Sequence, residues 1–140
     1  MSAASDTPFR LDGKAALVTG AKAGAKAGSN DLDGGVTSAR SPAVQLGTSG
    51  STGWTLDFRY TFAHDARSSA ADYLRVSVNG TTVFEADGSA TNANAAWTEA
   101  TVNLDAFAGQ QVRVLVQAAD GGPDSLVEAA VDDVRIYQAP

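Results

Sequence analysis

Oxygen-bearing side chains gather at two points of the chain. Near the start, the run Ser29-Asn30-Asp31-Leu32-Asp33-Gly34-Gly35-Val36 sets Asn30, Asp31 and Asp33 at close spacing beside two glycines. Near the end, Val131-Asp132-Asp133-Val134-Arg135-Ile136 sets two adjacent carboxylates inside an apolar stretch. Calcium is a hard cation that takes about six to eight oxygen ligands, so carboxylates carried on a tight reversal suit it. With Asp72, which stands just before an expected strand, the candidate metal set is Asn30, Asp31, Asp33, Asp72, Asp132 and Asp133. Bound there, calcium would be structural and would tie the first strands to the last. The N-D-x-D-G-G run fits an Asx turn as well, its carboxylates capping their own backbone amides.

Other residues point to binding. Trp54 and Trp97 are the two indoles, and exposed indoles stack on sugar rings, although such residues also close the ends of sandwiches. Glu128 alternates with Val127 and Ala129, so it is expected on the face opposite theirs, where it could share a concave ligand surface with Arg75, Arg113 and Arg59. Candidate ligand-binding residues are therefore Trp54, Trp97, Arg75 and Glu128. His64 is the single histidine and is followed by Asp65, Ser68 and Ser69, but the chain has no G-x-S-x-G elbow and no cysteine. A structural hydrogen bond, to Glu128 or Asp72, is the expected use of His64. No catalytic residues are assigned, and zinc is not expected from one histidine without thiolates.

These groups need strands to hold them. From Val36 onward short alternating runs are separated by turn residues every 8 to 12 positions, roughly the spacing of a sandwich or barrel. Thr55 to Ala63 places Leu56, Phe58, Tyr60 and Phe62 on one face and Thr55, Asp57, Arg59 and Thr61 on the other. Tyr73 to Val78 leads into Asn79-Gly80, the dipeptide a two-residue hairpin prefers, and Thr81 to Phe84 returns. Ala96 to Leu104 alternates, as do Val112, Val114, Val116 and Ala118. In the last strand Val127, Ala129 and Val131 lie on one phase and Val134 and Ile136 on the other, which predicts a bulge between Asp132 and Asp133.

A chain of 140 residues supports one domain, here expected as a flexible segment over 1–13 and a single domain over 14–140. Lys22 to Ser29, rich in Ala, Gly and Lys, reads as a flexible connection. The net charge of −6 argues against a phosphate-backbone partner, so nucleic acid is not expected. No apolar run reaches the roughly 20 residues of a membrane span, and no secretion signal is evident.

On the strings Leu17-Val18-Thr19-Gly20, Asn30 to Ser38, Ser41-Pro42-Ala43-Val44, Phe58 to His64, Asp72 to Val76 and Leu126 to Val134, the chain from Leu17 to Ile136 resembles the C-terminal β-sandwich domain of secreted bacterial metallopeptidases of the zinc carboxypeptidase type, similar to MAM-like and proprotein-convertase P-type jelly rolls. The resemblance implies an extracellular, noncatalytic accessory module beside a peptidase domain, with calcium at the junction and a cell-surface polysaccharide or protein as further partner. Phe9 to Ala21 also resembles the opening of a short-chain dehydrogenase, but Lys26 stands where that family needs glycine, and no Tyr is followed four residues later by Lys. The expectation is an all-β jelly-roll sandwich of about eight or nine antiparallel strands that acts as a calcium-stabilised accessory module. The alternatives are a lectin-like carbohydrate-binding module, a small hydrolase centred on His64 and a dehydrogenase remnant.

Overall fold

Alternation is realised almost throughout. The computed structural model describes residues 9–11, 17–19, 35–48, 53–122 and 125–139. Among these, eleven strands form: β1 (Phe9–Leu11), β2 (Leu17–Thr19), β3 (Gly35–Arg40), β4 (Val44–Gln45), β5 (Trp54–His64), β6 (Tyr73–Val78), β7 (Thr81–Asp87), β8 (Thr98–Asn103), β9 (Gln111–Val112), β10 (Val114–Asp120) and β11 (Val127–Gln138). One 3-10 turn, Asp105–Phe107, joins β8 to β9. Among the described residues no helix is long and apolar enough to cross a membrane.

The pairings nest. β3 pairs with β10, β4 with β9, β5 with β8 and β6 with β7, all antiparallel, so β3 to β10 is one folded-back ribbon. Rolling that ribbon brings β6 beside β10 and leaves β5 beside β11. The result is a jelly roll with a four-stranded sheet, β3-β10-β6-β7, and a five-stranded sheet in which β1 and β2 share the free edge of β11 and β5 and β8 complete the other side. The nine strands of the two main sheets match the expected architecture.

The inward residues of both sheets make one core. Leu56, Phe58, Val131, Val134 and Ile136 from the five-stranded sheet meet Leu74, Val76, Val78, Val114, Val116 and Ala118 from the four-stranded sheet. Phe84 bridges the layers, edge-on to Phe58 at 5.1 Å between ring centres and tilted against Tyr60 at 4.8 Å.

The predicted bulge is present. Asp132 lies opposite Arg59 and Arg135 opposite Asp57, so β11 carries one more residue than β5 over this interval. Asp133 absorbs the change at φ 52°, a left-handed conformation that Asp tolerates better than most residues. The Asn79-Gly80 hairpin also forms, with φ 49° and 83°. A second irregularity, between Val76 and Ser77 where Val83 is the extra residue of β7, is not signalled by alternation.

The flexible segment expected over 1–13 contains a strand. Phe9 to Leu11 pair with Ile136 to Val134, so the sheet begins earlier than residue 14. The reason is the exposed edge of β11, whose ladder groups need partners. Lys22 to Ser29 lies outside the described residues.

Asn79 does more than turn. Its Nδ2 donates to the Gln111 carbonyl at 3.0 Å and its Oδ1 accepts from the Arg113 amide at 3.0 Å, which pins the hairpin to the β9–β10 junction. Asn79→Ala removes both bonds and leaves at positive φ a residue without the side-chain bonding that lets asparagine tolerate it, costing about 2 kcal/mol. Thermal unfolding is expected to show a midpoint lower by roughly 6 °C.

Candidate functional site

Of the six metal-ligand candidates, the three described ones do not come together. Asn30, Asp31 and Asp33 lie outside the described residues. Asp72, fully buried, sits at the end of the sandwich where the β5–β6 and β10–β11 loops meet. Its Oδ2 accepts from the Ser68 hydroxyl at 2.7 Å, the Ser69 amide at 3.2 Å and the Ser125 hydroxyl at 3.0 Å. Its Oδ1 accepts from the amides of Gly121 at 2.9 Å and Gly122 at 3.1 Å. A carboxylate offers about four lone-pair sites, so this one has no capacity left for a cation. Asp132 and Asp133 are at the bulge of β11, and Asp132 Oδ1 accepts the Asp133 amide at 2.8 Å. They stand some five residues along β11 from the Asp72 end, roughly 17 Å away. Among the described residues no group of three or more acidic or histidine side chains is placed to hold a metal ion. The described members of the set therefore do not fit a shared calcium.

Asp72 closes the sandwich end by hydrogen bonds. Gly121 permits the approach, since a Cβ there would meet the Ala71 carbonyl at 2.8 Å. Burial pushes the Asp72 carboxyl up, but the bonds from Ser68, Gly122, Ser69 and Ser125 outweigh it and bring its pKa down to about 2.

The ligand candidates also separate. Trp54 is buried at 4 % exposure because it shares the inward phase of Leu56 and Phe58, and its indole N–H donates to the Gly47 carbonyl at 2.9 Å. It closes an end of the core. Arg75 lies on the outer face of the four-stranded sheet, paired with Glu85 at 2.6 Å and stacked over Tyr73 at 4.0 Å. Glu128 is exposed on the outer face of the five-stranded sheet, so it and Arg75 look in opposite directions. His64 is buried, its ring beside Phe62 and its Nδ1 donating to the Asp65 carbonyl at 3.1 Å, with neither Glu128 nor Asp72 as partner. Ser68 is held by Asp72, and Ser69 Oγ accepts from the Ala71 amide.

Trp97 is different. It is 48 % exposed and stands just before β8, next to Ala96, whose amide donates to Thr61 Oγ1 at 3.1 Å. The outward phase of β8 itself carries Glu99, Thr101 and Asn103, and the bond from Ala96 to Thr61 sets Trp97 at the margin of that face. The same outer face carries Asp57, Arg59 and Thr61 from β5 and Glu128, Asp132, Arg135 and Tyr137 from β11.

At its centre is an ion pair that sequence reading missed. Asp57 is 5 % exposed although it lies on the outward phase. Arg135, directly opposite, donates from Nη2 at 2.8 Å and Nε at 3.2 Å, both to Asp57 Oδ2. Among the described residues the buried Asp57 Oδ1 has no hydrogen-bond partner. The Arg135 guanidinium also lies over the Tyr137 ring, 4.5 Å from its centre. The Asp57 hydrogen bond raises the Arg135 pKa. Burial, then the neighbouring Asp57 carboxylate, raises that of the Tyr137 phenol. Only the bulge brings Arg135 opposite Asp57, and the register of β5 against β11 is not contained in either segment alone.

No protein-family model and no curated protein matches the chain. Among solved structures it is similar to dimeric latent PorU from Porphyromonas gingivalis, at 14 % identity and TM-score 0.42 over 74 % of this chain. It spans about 10 % of the length of PorU. It is also similar to the carbohydrate-binding module CBM6cm-2 of Cellvibrio mixtus lichenase 5A, in complex with cellotriose, at 15 % identity and TM-score 0.35 over 91 % of this chain and 98 % of that one. A family 35 carbohydrate-binding module from Clostridium thermocellum is similar at 19 % identity and TM-score 0.31 over 81 % of this chain and 86 % of that one. Likenesses at this level assign neither ligand nor activity.

A group whose folded pKa is depressed contributes stability above its unfolded pKa and loses it as pH falls through the folded value. For Asp72 the contribution is on the order of 2 kcal/mol, complete above about pH 4 and lost toward pH 2. In Asp72→Asn the amide can accept at only one atom, so the midpoint at neutral pH should fall by roughly 6 °C or more. The wild-type loss between about pH 4 and pH 2 should shrink in the variant, as acid titration followed by circular dichroism would show.

Proposed function

We propose that this chain is a noncatalytic carbohydrate-binding jelly-roll module, with the outer face of the five-stranded sheet as its ligand surface. The observation that carries the reading is Trp97, an indole 48 % exposed at the margin of a face built mainly of hydroxyl, carboxylate and guanidinium groups. Sugar rings offer apolar C–H faces and rings of hydroxyls, so an indole beside planar polar groups meets both kinds of surface. From Thr61, which binds the amide next to Trp97, to Thr55, opposite Tyr137, the face runs six residues along β5, roughly 20 Å, long enough for several sugar units of one chain. The module's service to a secreted bacterial peptidase, and hence its extracellular location, rests on the sequence resemblance.

Affinity electrophoresis against soluble xylan, mixed-linkage β-glucan, galactomannan and polygalacturonate is the test. At least one should retard the protein, and Trp97→Ala should weaken that binding about tenfold or more, the loss of one stacking contact and its burial, with an unchanged unfolding midpoint. Trp54→Ala should lower the midpoint instead, by emptying a core site. A protein that ignores all four polysaccharides overturns the reading.

Calcium stabilisation remains part of the proposal through Asn30, Asp31 and Asp33, with Asp132 and Asp133 at the bulge. Excess calcium over chelator should then raise the unfolding midpoint by several degrees, since about 100-fold saturation contributes roughly 2.7 kcal/mol, and Asp33→Ala should abolish the rise. A midpoint that ignores both calcium and chelator removes the ion from the reading.

A further inference from the structure

We propose that Asp57 is a positioning residue that makes Arg135 a hydroxyl-binding fork and so restricts the face to neutral polysaccharides; the inference rests on the carbohydrate-binding reading above. Asp57 occupies an outward position of a sheet yet is 5 % exposed, and it engages Arg135 through one oxygen only. Nε and Nη2 both turn toward Asp57 Oδ2, so Nη1 takes no part in the pair, and the Arg135 side chain keeps 44 % of its exposure. Tyr137 beneath the guanidinium fixes its plane. The donor edge left over is therefore held in one orientation on the ligand face.

Its charge is already answered. A guanidinium free of a carboxylate recognises anionic groups through two parallel bonds. Here the carboxylate of Asp57 takes that role from below, and the outer guanidinium of Arg59 stands in register between Glu99 on β8 and Asp132 on β11. Carboxylates outnumber guanidiniums on the face, and the chain carries a net charge of −6. Among the described side chains of β5, β8 and β11 a uronate or sulfated chain meets no guanidinium without a facing carboxylate, whereas uncharged hydroxyls find both donors and acceptors.

The test is a change of selectivity, which a merely structural role would not produce. The four polysaccharides named above are compared at low and high salt. Wild type should bind xylan, β-glucan or galactomannan in preference to polygalacturonate, with little dependence on salt. Asp57→Asn frees the Arg135 charge and its orientation, and should lose about tenfold in affinity for the neutral ligand while gaining salt-sensitive retardation by polygalacturonate. Should that variant fail to fold, the double replacement Asp57→Asn with Arg135→Gln removes both charges together and should lose neutral binding without gaining the acidic ligand. A folded Asp57→Asn that binds like wild type, or a wild type that prefers polygalacturonate, overturns the inference and leaves the carbohydrate-binding reading standing. A wild type that binds none of the four overturns both.

Discussion

The extra residue in β11 is the constraint on which the rest of the molecule depends. β11 runs twelve residues through the five-stranded sheet and must turn apolar side chains to the core along its whole length. Its sequence alternates correctly up to Val131 and correctly from Val134, but on opposite phases. Without the bulge, Val134 and Ile136 would face outward, at a cost of about 1.5–3 kcal/mol each in lost burial. With Asp133 at positive φ both are buried, Val134 at 6 % and Ile136 at 0 % exposure. The edge strands follow the same break. β2 pairs with Ala129 to Val131 and β1 with Val134 to Ile136, one on each side of the bulge.

The far end of the sandwich is organised by a buried anion in place of apolar packing. Asp72 gathers donors from both loops that cross there, and its own main-chain carbonyl accepts the Gly88 amide at 2.8 Å, so the end of β7 is drawn in as well. A single charge among five short donors is cheaper to bury than an ion pair that must match its partner, because the donors are neutral dipoles already fixed by the chain. This explains why one of the carboxylates read as a metal ligand is better understood as the centre of a hydrogen-bond network.

Period-two alternation made the fold legible, because half-buried strands must alternate and the described strands depart from the rule at two places. The departure at Asp132-Asp133 is visible in the phase of Val127 to Ile136. The one at Val83 is not, since Thr81 to Asp87 is an edge strand with little burial to impose a phase. The site was legible in part. Trp97 was marked as an exposed aromatic, but Trp54 drew the same reading, although its position two residues before Leu56 puts it in the core. Sequence spacing also grouped Arg75 with Glu128, which the topology assigns to opposite outer faces. Pairing across β5 and β11 is nonlocal, so Asp57 and Arg135, 78 positions apart, carried no joint signal.

That pair also bears on how the face came to be polar and rigid at once. A buried ion pair is weak evidence for stability, since matched apolar residues commonly serve the fold as well or better. Thr55 and Thr101 flank Asp57 on its own strand and on β8, and an apolar residue between them would extend the sheet's packing without a desolvation cost. The chain instead keeps a charge where alternation exposes it, covers it, and leaves its partner's donors at the surface. Stability alone gives no reason for that arrangement. Holding a guanidinium in one orientation on a flat sheet face does, because a side chain with about 2 kcal/mol of rotamer entropy must otherwise be ordered each time a ligand is bound.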